Sequence, residues 1–192
     1  MQNELLEHNL SREEMQALRN RRTGMTIFQI SWIMVFFCLI VVNWQLRYNF
    51  SEWPPAGVEK LGVILPSIAT GMLLISTFLV RQGLNAIQND KRDTFLNTWR
   101  IAIGLGIAFV LIIIFEWISV PIDTQYGSLF RMMTGFHGFH ALVIGAYMIM
   151  VYRNAHDGQY GALDFWAVEA GAKLWYFVAF AWILFYTVLY WI

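Results

Sequence analysis

Two histidines, His137 and His140, stand in the stretch TGFHGFH, and one acid, Glu116, stands in FEWISVP, all within long apolar surroundings. Imidazole can ligate a metal, carry a proton near neutral pH, or serve as a hydrogen-bonded packing group. Spaced three apart on a helix, the pair falls within one turn on neighbouring faces. Haem iron takes two histidines from opposite sides, which an i, i+3 pair on one helix cannot supply. Such ligation within the chain would need His8 or His156, and neither lies in an apolar segment. A smaller metal site would want a further ligand at the same depth, and Glu116 qualifies. Counting from Arg100 places Glu116 about 24 Å across a membrane, and His137 lies about 9 Å inward from Arg131. An acid in hydrocarbon needs a partner or water, so the spacing predicts Glu116 hydrogen-bonded to His137 or His140. This buried polar cluster reads first as a structural clasp, with proton handling and metal binding as the alternatives.

The elements that must position these groups follow from composition. Hydrophobic residues make up 58% of the 192, and charged ones only 14%. Charge is absent from Thr23 to Leu46, Leu61 to Val80, Ile101 to Phe115, Met132 to Tyr152 and Leu174 to Ile192. About 20 helical residues cross a hydrocarbon core of about 30 Å, so the chain reads as an all-α integral membrane bundle of five transmembrane helices. Barrel strands would alternate in polarity, and these runs do not. Basic residues decide the orientation. With a cytoplasmic N-terminus, that side receives Arg12, Arg19, Arg21, Arg22, Arg81, Lys91, Arg92, Arg100, Arg153 and Lys173. Only Arg47, Lys60 and Arg131 remain outside, and the C-terminus is external. A lone cysteine, Cys38, permits no intrachain disulfide or multi-cysteine metal site.

Residues 1–23 read as a cytoplasmic amphipathic segment, and residues 24–192 as the five-helix domain. Residues 1–22 are too polar for a signal peptide. Ser11 and Glu14 have capping-box spacing with Leu10 and Met15 at staple positions, which predicts a short helix on the membrane surface. The stretch from Pro121 to Phe130 reads as a tight external loop, and that from Arg153 to Lys173 as a long cytoplasmic connection. Ser67, Gly71, Leu74, Thr77 and Arg81 form a small, polar stripe in the second span. Gly104 with Ala108, and Ala141 with Gly145, are small pairs suited to close helix approach. Trp175, Ala179, Trp182, Tyr186 and Tyr190 line one face of the last span, read as packing or lipid anchoring. Arg81, Arg100 and Lys173, at cytoplasmic span ends, are candidate contacts for phospholipid headgroups. No nucleotide-binding glycine loop, zinc-type cysteine pairing or GxSxG motif occurs, and the modest basic charge is accounted for by topology, which excludes nucleic acid.

EWISVP followed by YGSLFRMMTGFHGFH resembles the third-to-fourth helix connection and fourth-helix start of haem-copper oxidase subunit III, in its five-helix bacterial form. GMTIFQIS, LPSIATGMLLIST and EAGAKLWYFVAFAW match in order and spacing. The resemblance implies an accessory subunit of a bacterial respiratory oxidase, multi-pass in the cell membrane, with no catalytic centre. Haem and copper would then belong to partner subunits I and II, while this chain stabilises subunit I and binds phospholipids; membership of a larger respiratory supercomplex stays open at this point. It also implies that Glu116, His137 and His140 belong to the family's polar cluster and Glu169 to the acid before its last helix. Departures are Trp32 where an acid follows Ser31, Ile113 for glutamine, Tyr176 for histidine and Ala179 for aspartate; polar groups are exchanged for apolar or aromatic ones, which weakens a proton-handling role. An accessory subunit of a quinol oxidase or nitric oxide reductase, and a small transporter or quinone-binding anchor, are the other readings. Against a relay, no Asp, Glu, Lys, Arg or His lies between Ile101 and Phe115 or between Ala141 and Tyr152.

Overall fold

The structure, a computed structural model, describes residues 11–55, 57–58 and 61–191. Helices α1 (Arg12–Arg47), α2 (Ile64–Gln88), α3 (Arg92–Ser119), α4 (Gln125–His156) and α5 (Trp166–Tyr186) follow one another, and α5 runs into a π-helical turn, Thr187–Trp191. All five are long and apolar enough to cross a membrane, and the described residues contain no strand. Helices α2 to α5 close into a ring, α2 on α3, α3 on α4, α4 on α5 and α5 back on α2. Helix α1 lies outside it against α5 and turns Ile27, Met34, Val41 and other large apolar side chains outward. The many exposed apolar side chains suit a solvent of lipid.

Two local expectations change. The Ser11–Glu14 capping box forms, with both reciprocal bonds present, while the staple residue Leu10 lies outside the described residues. The helix it starts is not a separate surface piece: α1 continues unbroken through residue 23 for 36 residues, about 54 Å. Gly24 is the only interior weak point, and one glycine costs a helix only about 1 kcal/mol. Helix α4 also begins earlier than expected, at Gln125, because the Thr124 side chain accepts the Gly127 N–H at 3.0 Å. A Cβ on Gly127 would stand 1.8 Å from the Pro121 carbonyl oxygen, so only glycine lets the loop fold back so tightly. The connection expected from Arg153 to Lys173 shortens to residues 157–165, since both its ends are helical.

Orphan carbonyls at helix ends are met reciprocally between α3 and α4. Arg131, near the start of α4, donates to Val120 O (2.7 Å) and Ile118 O (2.9 Å) at the end of α3. At the other end of the same two helices Arg92, starting α3, donates to Ala155 O (3.1 Å) and His156 O at the end of α4. Each guanidinium thereby brings a cation to a helix C-terminus, where the dipole favours it.

Inside the ring, Ser76 Oγ donates to Ala102 O (2.8 Å) and accepts from Trp175 Nε1 (3.0 Å), tying α2, α3 and α5 through two bonds. Trp182 Nε1 donates to Thr70 Oγ1 at 2.8 Å, and Trp99 Nε1 to Met148 O at 3.2 Å. The aromatic face of α5 is therefore packing, with Trp175, Trp182 and Tyr190 buried. The expected stripe of α2 is largely outward: Ser67, Leu74 and Arg81 are exposed, and the inward positions are Ala69, Leu73, Ser76 and Val80. Helix approach uses Gly106 instead of Gly104, because the Trp175 ring occupies the space where a Gly106 side chain would be.

A Cβ at Gly106 would meet Trp175 at 2.6 Å, whereas one at Gly104 meets nothing within 4 Å. Gly106→Ala should therefore lower the unfolding free energy of the detergent-solubilised chain by about 1–3 kcal/mol, and Gly104→Ala should leave it unchanged or slightly raised. Equal effects in a denaturant titration would contradict this packing.

Candidate functional site

The two histidines do not meet Glu116. His137 is fully buried, and its Nε2–H donates to Val178 O on α5 at 3.0 Å. A carbonyl only accepts, so the proton sits on Nε2, leaving Nδ1 buried without a hydrogen-bond partner. His140 uses the other nitrogen: Nδ1–H donates to Phe136 O, one turn back on its own helix, at 2.7 Å. Aromatic rings enclose both. Trp182, Phe109, Phe36 and Phe185 surround His137 with ring centroids 5.3 to 6.2 Å away. Trp32 stands edge-on to His140 at 4.3 Å, backed by Phe136 at 4.4 Å. Each imidazole gives its proton to a carbonyl and keeps one lone pair, on His137 Nδ1 and His140 Nε2, within aromatic walls. Among the described residues, no group of three or more His, Cys, Asp or Glu could hold a metal ion.

Glu116 instead accepts a hydrogen bond from Tyr190 Oη at 2.6 Å, which corrects the expected acid–imidazole clasp. Both ends have a local cause. Glu116 belongs to the last turns of α3, and the π-helical turn after α5 carries Tyr190 to it. A wide turn advances the chain less per residue, so it re-aims the side chains that follow. The carboxylate also lines an outward-facing cleft of about 650 Å³ with Asp123, Ser119 and Tyr126, and so keeps a polar side. Tyr190 was legible as part of an aromatic face, but no periodicity announces a π-turn.

A second polar knot lies at the opposite end of the bundle. Glu169 accepts from Arg22 Nη2 at 2.8 Å and Nε at 3.2 Å, and pairs with Lys173 Nζ at 2.9 Å. Gln29 Nε2 donates to Lys173 O at 2.8 Å, one step further along the same contact. These bonds clamp the first half of α1 onto α5. Lys173 is drawn inward to Glu169, one turn before it, so its charge is already engaged. Arg81 and Arg100 are exposed, with Arg100 Nη2 donating to Asn97 Oδ1 at 3.1 Å.

Comparison with known proteins decides what this bundle is. The family model for cytochrome c oxidase subunit III matches residues 6–192. The chain belongs to the cytochrome c oxidase subunit III family. Its relatives named cytochrome c oxidase subunit 3 include that of Rhipicephalus sanguineus, 30% identical over 91% of this chain and 72% of that one. The proteins of that name from Synechocystis sp. and Thermostichus vulcanus are 27% and 30% identical, each over 88% of this chain and 75% and 86% of theirs. At the positions where this subunit III sequence departs from the resemblance, the structure holds close packing. Ile113 and Ala179 are buried, and Trp32 packs on His140.

Tyr190→Phe should cost the bundle about 1 kcal/mol by removing one hydrogen bond to a charged or buried carboxyl group. Glu169→Gln breaks a knot whose Arg22 side chain is 32% exposed, so a loss of about 1 kcal/mol is expected. The loss should appear as faster amide exchange over residues 12–22, with the ring helices unaffected; unchanged exchange there would show that the clamp holds nothing.

Proposed function

We propose that this chain is an accessory subunit III of a bacterial haem-copper respiratory oxidase of the cytochrome c oxidase kind, multi-pass in the cell inner membrane. Its work is mechanical. The bundle packs against subunit I, within a complex that also holds subunit II, and keeps the oxidase assembled during turnover. Haem and copper reside in those partners, and this chain performs no redox step. The observation that carries the reading is the family match across residues 6–192, joined to a bundle in which His137, Ser76 and Glu116 bond to neighbouring helices. Phospholipid headgroups meet Arg81 and Arg100, the two candidate cations that stay exposed.

Isolation in mild detergent, followed by a haem spectrum and identification of the companion chains, tests this. A haem-bearing subunit I and a subunit II with a copper site should accompany the chain. Removing the chain should leave haem spectra in place while activity decays sooner during sustained turnover, several-fold in half-life. A chain recovered alone, or an oxidase equally durable without it, would overturn the proposal.

A further inference from the structure

We propose that the guanidinium of Arg47, in an aromatic-walled cleft where α1 ends, grips a carboxylate side chain of a companion oxidase subunit. The inference rests on the accessory-subunit reading for the existence of that companion, and it names a contact that holds the two together.

The cleft follows from how α1 stops. The Tyr48 N–H donates to Trp44 O and the Phe50 N–H to Arg47 O, both at 3.0 Å, so the chain turns back beside the last helical residue. Trp53 then packs on Phe50, with ring centroids 5.6 Å apart, and on Tyr126 of α4 at 5.3 Å, which fixes the far wall. Trp44, Tyr48, Phe50, Ser51 and Trp53 line a space of about 540 Å³ beside Arg47. One turn earlier Asn43 is buried and donates to Met133 Sδ on α4 at 3.5 Å. Arg47, four residues on, shares that inward face, and its Nη1 is buried there without a hydrogen-bond partner.

The edge left over selects the occupant. Only Nη1 is shut away, and neither Nε nor Nη2 bonds to anything among the described residues. Nε–H and Nη2–H form the fork that meets the two oxygens of a carboxylate in parallel. Elsewhere in this chain that same edge is filled: Arg22 sets it on Glu169, Arg92 on the carbonyls of Ala155 and His156, and Arg131 on those of Val120 and Ile118. Like Arg22 and Arg131, Arg47 is half-buried, and unlike them it has no acceptor. Glu52, the acid of the adjoining loop, is exposed and forms no ion pair with it. An arginine that only reaches from a membrane boundary to water turns its whole head outward. This one is held with one nitrogen inward, so its fork is set in place before a ligand arrives and less freedom is lost on binding. The walls agree. Trp44 is 53% exposed and Tyr48 90%, and indole, phenol and guanidinium together are the groups that anchor protein–protein contacts once the rings exclude water. A phosphate would fit the fork alone, whereas an acidic side chain on a protein surface covers the rings as well.

Oxidase isolated in mild detergent with Arg47→Gln in this chain tests the contact. The chain's affinity for the complex, read from its dissociation as salt rises, should fall about tenfold, the loss of a charge-assisted pair. The isolated chain should melt at an unchanged temperature, because the Arg47 side chain bonds to nothing within it. In Arg47→Lys, a zero-length carbodiimide should couple position 47 to an Asp or Glu of a companion subunit, located by mass spectrometry. Retention equal to that of the unaltered oxidase, a melting temperature that falls with it, or coupling to Glu52 alone or to no companion would overturn the proposal. So would a loss of retention seen only when anionic phospholipid is added back, since the fork would then hold a phosphate. Companion subunits recovered at full strength with Arg47→Gln leave the accessory-subunit reading standing, while an unaltered chain recovered without companions removes that reading, so the two fail separately.

Discussion

Hydrocarbon offers no water to a polar side chain, and that constraint organises this bundle. Its clearest expression is the relay from Trp175 to Ser76 to the Ala102 carbonyl, two hydrogen bonds that join three helices at one depth. A serine hydroxyl can give one bond and take another, so Ser76 satisfies itself while fastening its neighbours. The position of Trp175 then dictates the rest of that layer: Gly106 must lack a side chain, and a space opens to the lipid on the far side of the ring. Lipid supplies little drive for helices to associate, so such bonds and close backbone approaches carry the association.

The same constraint explains why groups that look chemical are structural here. His137 and His140 have spent their protons on the carbonyls of Val178 and Phe136, in opposite tautomers, within aromatic walls. Glu116 is held by a phenol instead of an imidazole, near an outward cleft. Each imidazole gives its proton to a carbonyl and Glu116 accepts a hydrogen bond from a phenol, while His137 Nδ1 stays buried without a hydrogen-bond partner.

Much of the architecture was legible because charge is a strong signal in a membrane sequence. Five uncharged intervals gave five helices, and the capping box at Ser11 and Glu14 marked where the first begins. Partnerships were less legible. The stripe through Ser67, Leu74 and Arg81 shows helical spacing, but spacing is the same for a face turned to protein and one turned to lipid. Glu116 was expected to meet His137 or His140 and meets Tyr190 instead, since the π-turn that delivers Tyr190 leaves no trace in residue types. Arg92 and Arg131 counted toward orientation, and their work as caps on neighbouring helices depends on which helices lie side by side. The loop before α4 was shorter than its composition suggested, because one threonine cap recruits Gln125 onward into the helix.

The central claim is that the polar groups inside this chain hold helices together and do nothing else. The most direct measurement is iron and copper per assembled oxidase, with the yield of assembled oxidase, when the complex carries His137→Ala or Glu116→Gln. The account predicts metal content per complex equal to that of the unaltered oxidase and a lower yield of complex, following the weakened bundle. Assembled complexes that lack iron or copper would contradict it.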